Sequence, residues 1–353
     1  MNVIASGYSG TGSSAIVHLL SEYEDFSDGI SGSYEHVLFY IPDGLFDLED
    51  RLLYNNTLHM ADGAINRFYS AMKRLNDNDF GWFGGYENRY GKMFMQIVDE
   101  FLEELVDFKL VGYWSDDFKL QSSLQATIKD TAKKITGHKV THFGKKISKN
   151  GDGYVLYSFP NQERFYRAAK EFVLKYLRMI CNNQATDLVL DQILLPQNLY
   201  RLQNYFDNSK AIVVDRDPRD LFVLSKYVWP KITNSAVLFP ENVGDFIEFY
   251  KEVRKQTRRD DPACVMTVRF EDLIYNYDET INRIESYLKI DSSRHTRKQT
   301  RFNPEKSIAN TQNFRMNSHW TREVEAIRLE LSEYLYEFPY ILHPSINEAS
   351  DPS

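Results

Sequence analysis

At 353 residues the chain can bury a substantial core, as one large domain or as a core carrying a sizeable insertion. Apolar residues at 42% and charged residues at 26% exclude a wholly disordered chain, and a net charge of −8 argues against a general nucleic-acid or anionic-membrane surface while leaving room for a local basic pocket. Two cysteines, Cys181 and Cys264, make no disulfide framework and no zinc spacing, and no run approaches the roughly eighteen apolar residues of a membrane span. With no basic leader before residue 7, the expectation is a cytoplasmic protein.

The chain begins MNVIASGYSGTGSSAIVHLL. Asn2 to Ala5 read as a strand, and Ile16, Leu19, Leu20 and Tyr23 recur at the spacing of one helix face. Between them lies a glycine loop. First-turn N–H groups of a helix have no intrahelical partner and point outward with the positive end of the dipole, so such a junction suits an anion. Gly7, Gly10 and Gly12 allow close backbone approach, and Ser9, Thr11, Ser13 and Ser14 add hydroxyls. The spacing from Gly7 to Gly12 matches the start of a Walker A loop, but Ser13 stands in the lysine place and Ser14 in that of the Ser/Thr. Loss of that lysine argues against an ATPase, GTPase or ordinary kinase and still permits a phosphate in the loop. The bland alternative is a serine-rich turn before a helix.

After SGSYEHVLFY at 31–40, residues 45–130 read as mainly helical, above all MFMQIVDEFLEEL. KVTHFGKKI and YVLYSFP flank KNGDG and read as a hairpin or two strands joined by a longer turn. Helical periodicity resumes over 161–182. Residues 45–182 thus form an expected helical and hairpin insertion covering the acceptor pocket of a single domain spanning 1–353.

In SKAIVVDRDPRDLFVLSKY, residues 211–214 make an apolar strand suited to a covered parallel sheet. Ligands collect beyond the carboxyl ends of such strands, which places Arg216 and Arg219 to read a second anion, or else to cap and ion-pair the turn. Pro218 preforms a helical first turn, with Asp217 as its cap. A third strand, ACVMTVRF, leads into EDLIYNYDETINRIESYLKI, where Asn276 and Glu279 have capping-box spacing. Glu271 and Asp272 either orient site arginines or fix this connection. A last helix is expected around 320–336.

Together these motifs resemble the sulfotransferase family, whose sulfonyl donor is 3'-phosphoadenosine 5'-phosphosulfate (PAPS) and whose product is 3'-phosphoadenosine 5'-phosphate (PAP). SGYSGTGSS is similar to its 5'-phosphosulfate loop, IVVDRDPRDLFVLS to its 3'-phosphate segment, VRFEDL to a later strand-and-turn signature, and NPEKSIANTQNF to its C-terminal cofactor region. The resemblance implies an α/β fold: a P-loop NTPase-like core with a parallel central sheet flanked by helices, plus a largely helical insertion. It places Gly10, Thr11, Gly12 and Ser13, with Ser9 and Ser14 beside them, around the 5'-phosphosulfate, and Arg216 and Ser225 at the 3'-phosphate. A family arginine of the C-terminal region corresponds to none, one or several of Arg294, Arg297 and Arg301. Two departures stand out. Tyr8 occupies the place of the family's loop lysine, leaving Lys139, Lys145 and Lys146 as replacement cations, and Arg216 lies nine residues before Ser225 where the family has eight.

The resemblance further implies transfer to an acceptor hydroxyl, in-line at sulfur, with a base to take the proton. Glu35 matches the glutamate of the carbohydrate-sulfating branch and is favoured as that base, which points to a carbohydrate or glycoconjugate acceptor. His36 is its local alternative, and His142 in KVTH is a further one. No metal is called for. The competing readings are a divergent nucleotide-dependent kinase and a non-enzymatic nucleotide-binding or scaffold protein.

Overall fold

The computed structural model describes residues 1–30, 34–112, 153–181, 187–232, 239–258 and 261–342. The strands are β1 (Asn2–Gly7), β2 (Phe26–Ser27), β3 (Phe108–Gly112), β4 (Gly153–Tyr157), β5 (Asp187–Asp191), β6 (Ser209–Asp215) and β7 (Val265–Arg269). The longer helices are here numbered α1 (Ser13–Leu20), α2 (Leu45–Glu49), α3 (Leu58–Asp77), α4 (Tyr86–Tyr90), α5 (Met93–Leu105), α6 (Gln162–Cys181), α7 (Pro218–Val223), α8 (Val243–Lys255), α9 (Tyr277–Leu288) and α10 (Thr321–Glu330). The chain divides into two compact units: Met1–Glu35 with Gln184–Gln203 and Asp207–Ser353, and His36–Asn183 with Asn204–Phe206.

The first unit is built on a five-stranded parallel sheet in the order β2-β5-β1-β6-β7. β1 and β6 are apolar and buried almost throughout, as a sheet covered on both faces requires. The chain runs from β1 outward to β2, returns to fill the gap with β5, then continues on the other side of β1 with β6. The strand order therefore reverses at β1, the position where open α/β sheets leave a crevice for ligands.

Helix α1 starts where Gly12, at φ 104°, takes a left-handed conformation that turns the chain off β1. Its Ile16, Leu19 and Leu20, followed by Tyr23, are fully buried against Ile281, Ile284 and Leu288 of α9, each aliphatic contributing about 1.5–3 kcal/mol. A second apolar cluster joins Leu221 and Phe222 of α7, Phe246 and Ile247 of α8, and Ile327 of α10.

Just past α1, buried Glu22 gathers the tail of the chain. Its carboxylate accepts from the backbone N–H of Gln299 (3.0 Å), Arg301 (2.8 Å) and Phe302 (2.8 Å), and hydrogen-bonds His295 Nε2 at 2.8 Å. The expected capping box at α9 does not form. Asn276 sits at φ −125°, ψ 41° and makes no side-chain cap, and its amide donates instead to Asp272 (3.1 Å) and the Tyr336 hydroxyl (3.3 Å).

In the second unit, α3, α5 and α6 pack through a ladder of rings, with Phe101 stacked on Phe172 at 4.8 Å and Phe68 edge-on to Phe101 at 5.7 Å. The helical run expected through residue 130 is broken after Leu105, where Phe108–Gly112 forms β3, and its remainder, 113–130, lies outside the described residues. That strand pairs with β4, antiparallel, with Phe108 opposite Tyr157. KVTHFGKKI, with Lys139, His142, Lys145 and Lys146, lies outside the described residues. The stretch 45–182 expected as an insertion falls within this unit. Among the described residues no helix is long and apolar enough to cross a membrane.

Candidate active site

Because β5, β1 and β6 are adjacent and parallel, their carboxyl ends bring three groups side by side at one edge of the sheet: Asp191, the glycine loop, and Arg216. In the loop Ser9, Gly10 and Gly12 all have positive φ (61°, 63° and 104°). Two contacts hold it. The Tyr8 N–H donates to Thr11 Oγ1 at 3.0 Å, and the Gly7 N–H donates to Gln192 Oε1 at 3.3 Å. A Cβ on Gly10 would stand 2.5 Å from Trp229, and one on Gly12 2.7 Å from Phe270, so both glycines are required by close approach as well as by φ. No side chain caps α1; the Ala15 N–H bonds the Gly12 carbonyl at 2.9 Å, and the start of the helix suits an anion.

Arg216 is the side chain that ties the next strand end to this loop. Its guanidinium is buried, donates to the Gly10 carbonyl at 3.4 Å and to the Asn310 carbonyl, lies over the Phe270 ring at 4.7 Å, and keeps Nε without a partner. Burial lowers its pKa, opposed by the charges of Asp220, Glu271 and Asp217. Asp220 in turn accepts from the N–H of Gln312 (2.8 Å) and Phe314 (3.3 Å), fixing the NPEKSIANTQNF segment beside Arg216.

Arg219 does not join it. Its guanidinium is paired with the buried Asp217 at 2.6 Å, and Asp217 also caps α7 by accepting from the Arg219 N–H at 2.9 Å, so this arginine belongs to the turn. Glu271 fixes the same turn by accepting from the Asp217 N–H at 2.8 Å, and it faces Arg269 at 3.6 Å. Arg294, Arg297 and Arg301 lie at the far end of α1 from the loop. They bind Asp187 (2.9 Å), the Ser21 carbonyl (2.8 Å) and Asp28 (3.1 Å) respectively. Ser225 is buried in a π-helical turn, Leu224–Val228, directly after α7. A π turn holds one more residue than an α turn, so the nine-residue spacing has a place to be absorbed.

On the other side of the loop, Glu35 and Asp191 are bridge partners in parallel register. Asp191 is buried and its Oδ1 has no partner. Burial, aided by the Glu35 charge and opposed by the nearby Ser13 hydroxyl, pushes Asp191 up to about 7. Half-buried Glu35 is also raised by burial. His36, in the second unit, is fully buried with Nδ1 2.7 Å from the Tyr176 hydroxyl, and burial pushes it down to about 3. It remains neutral and a weak base, which leaves Glu35 as the described candidate for proton abstraction.

Tyr8, in the lysine place of the family loop, turns away from it. Its hydroxyl is 3.1 Å from Thr257 Oγ1, and its ring lies 4.4 Å from the guanidinium of Arg254, which is itself paired with Asp215 at 2.6 Å. Asp191, Gln192, Trp229 and Phe270 are site residues that sequence reasoning missed. The signal for Asp191 was a carboxylate interrupting the apolar run LVLDQILL, where an ionisable group is rarely buried without a purpose.

The first unit is thus an α/β core whose parallel sheet carries the glycine loop at the carboxyl end of β1. Residues 192–333 match the sulfotransferase domain family, a stretch that includes Arg216 and Ser225 and stops short of the glycine loop. That stretch of the chain is similar to the sulfotransferase domain, a family that uses PAPS as sulfonyl donor. A comparison with curated proteins finds no match. Among solved structures, the sulfotransferase domain from the Synechococcus PCC 7002 olefin synthase is similar at a TM-score of 0.38 and 11% identity, over 96% of this chain and 94% of that one. The sulfotransferase domain from the curacin biosynthetic pathway is similar at 0.37 and 13%, over 96% and 98%.

The residues present suit the donor. Trp229 and Phe270 pack against Gly10 and Gly12 so closely that neither position admits a Cβ, and Arg216 holds an orphaned buried Nε beside the loop.

Proposed function

We propose that the chain moves the sulfonyl group of PAPS to a hydroxyl of a carbohydrate or glycoconjugate, with residues 10–13 around the 5'-phosphosulfate, Arg216 and Ser225 at the 3'-phosphate, and Glu35 as general base. When bound, PAPS supplies a sulfonyl group activated by a phosphate leaving group. The loop N–H groups hold that phosphate, and Glu35, half-buried with its pKa raised, takes the acceptor proton. The observation that carries the reading is Arg216. One planar fork touches the loop carbonyl of Gly10 and the C-terminal carbonyl of Asn310, so a reader of a second phosphate is attached to the holder of the first. The carbohydrate acceptor is supported by the match of Glu35 to the base of the carbohydrate-sulfating branch.

The test is calorimetric binding of PAP and AMP to the wild type and to Arg216→Ala. A charge-assisted bond of about 1.5–3 kcal/mol predicts PAP binding tighter than AMP by tenfold or more, with the difference lost in the variant. Equal affinity in the wild type rejects the reading. Labelled sulfonyl transfer to a panel of saccharides and phenols decides the acceptor class, and transfer to phenols alone rejects the carbohydrate assignment.

A further inference from the structure

Tyr8 stands where the family loop has a lysine, and the end of α8 holds it at two points. Its hydroxyl lies 3.1 Å from Oγ1 of Thr257, just past α8, and its ring centroid lies 4.4 Å from the guanidinium carbon of Arg254, in the last turn of that helix. The same guanidinium donates to Asp215 Oδ1 at 2.6 Å, and that oxygen also accepts the backbone N–H of Arg216 at 2.9 Å. Arg254 thus touches both the glycine loop and the strand end from which Arg216 departs.

We propose that Arg254 is a positioning residue: with its planar face against Tyr8 and its ion pair to Asp215, it sets the separation between the glycine loop and Arg216, and so the span of the adenosine bisphosphate that the two can grip together. The inference rests on the sulfonyl-transfer reading and adds to it the element that fixes the spacing of the two anion holders.

The sheet leaves that spacing open. The ladder between β1 and β6 ends with Gly7 opposite Val214, and Tyr8 and Asp215 are the next residues on the two strands. Past the ladder no backbone pairing of these strands fixes the distance, and Arg254 contacts both of those residues. The direct contact between the holders, from Arg216 to the Gly10 carbonyl, is long at 3.4 Å. Movement of Tyr8 passes into the loop, because the Tyr8 N–H donates to Thr11 Oγ1 at 3.0 Å.

Arg254 is itself held firmly enough to transmit position. Its side chain is 9% exposed, its guanidinium carbon lies 3.3 Å from the ring centroid of Tyr250 one turn earlier, and Nη1 reaches the Tyr250 carbonyl at 3.5 Å. A guanidinium packed on rings has little rotamer freedom left. Neutralising Asp215 does not by itself require Arg254, since Arg269 also lies 3.9 Å from the other carboxylate oxygen. A lysine at position 8 would meet Arg254 as a like charge, whereas a tyrosine ring attracts it, so the change in the loop and the arginine on α8 belong together.

The test is calorimetric binding of three ligands to the full chain: 5'-AMP and 3'-AMP, with one phosphate each, and PAP, with both. Two-point binding suffers when the separation of the holders shifts, and one-point binding does not. Arg254→Lys keeps a charge beside Asp215 and removes the planar face, and Tyr8→Leu removes the ring. Each is expected to weaken PAP by about tenfold or more while both single-phosphate ligands stay within about threefold. The double variant should lose little more than either single one, since both remove the same contact. Tyr8→Phe, which keeps the ring, should restore wild-type binding of PAP. A parallel loss of all three ligands overturns the proposal, because it marks a residue that supports the fold alone. Unchanged PAP affinity, or additive losses in the double variant, does the same. So does a Tyr8→Phe variant as weak as Tyr8→Leu, which would transfer the role to the Thr257 contact. If Arg254→Lys does not fold, the comparison of Tyr8→Leu with Tyr8→Phe decides alone. Wild-type protein that binds PAP no tighter than 5'-AMP rejects the functional reading itself, a different result from any of these.

Discussion

The guanidinium of Arg216 lies over the face of Phe270, 4.7 Å from its centroid, while an edge of the same ring closes on Gly12, where an added Cβ would meet Cδ2 at 2.7 Å. One aromatic ring therefore spaces Arg216 from the glycine loop, the groups proposed to hold the 3'-phosphate and the 5'-phosphosulfate. Gly12→Ala is expected to lower stability by about 1–3 kcal/mol, since φ 104° disfavours any Cβ, and to reduce the preference for PAP over AMP by pushing Phe270 against Arg216. Thermal unfolding and calorimetry measure the two effects. In a Phe270→Leu background the second effect of Gly12→Ala should shrink while the first persists. A variant that keeps full discrimination would show that the ring does not couple the two sites.

Arg216 and Arg219 are three positions apart and have opposite roles. Arg219→Ala leaves Asp217 buried with its charge uncompensated, and should cost about 3–5 kcal/mol in denaturant unfolding. The ratio of PAP to AMP affinity in the folded variant should stay within about twofold of wild type, since nothing links Arg219 to the loop. A large loss of discrimination without loss of stability would reverse the two assignments.

Three buried carboxyls, Asp191, Asp220 and Glu271, are each pushed up to about 7 by burial. Their folded-state pKa values exceed the unfolded ones, so the folded state binds more protons between them. The stability these groups contribute is fully present below the ordinary carboxylate range and is lost as pH rises through about 7. Scanning calorimetry should find the melting temperature falling from about pH 5 to about pH 8, with a shallower fall in Asp220→Asn. A melting temperature that rises across this window contradicts the burial of these groups as protonated acids.

What was legible in the sequence was local. The strand, loop and first helix come from periodicity and glycine placement within twenty residues, and the Asp217, Pro218 and Ala211 to Val214 pattern is similarly self-contained. Pairings across long separations were not. β4 finds its partner in β3 because Phe108–Gly112 leaves the helix pattern after Leu105, a change that five residues of mixed polarity do not announce. The capping-box spacing at Asn276 was real, but Tyr336, sixty residues away, competes for the amide. Within the site, Arg216 was readable from its position after an apolar strand. Its difference from Arg219 was not, because that depends on which carboxylate each arginine meets in three dimensions. Asp191 was concealed by the same limit: its neighbour Glu35 is far away in the chain and adjacent only through the parallel bridge.

The Glu22 cluster sets an order of events during synthesis. The groups that anchor the far end of helix α1, up to the Phe302 N–H, are synthesised 280 residues after Glu22. The glycine loop is thus made long before the helix that carries it is secured. A chain truncated before residue 302 would expose a buried carboxylate at the end of the helix that carries the loop, and donor binding should be lost even though every loop residue is intact.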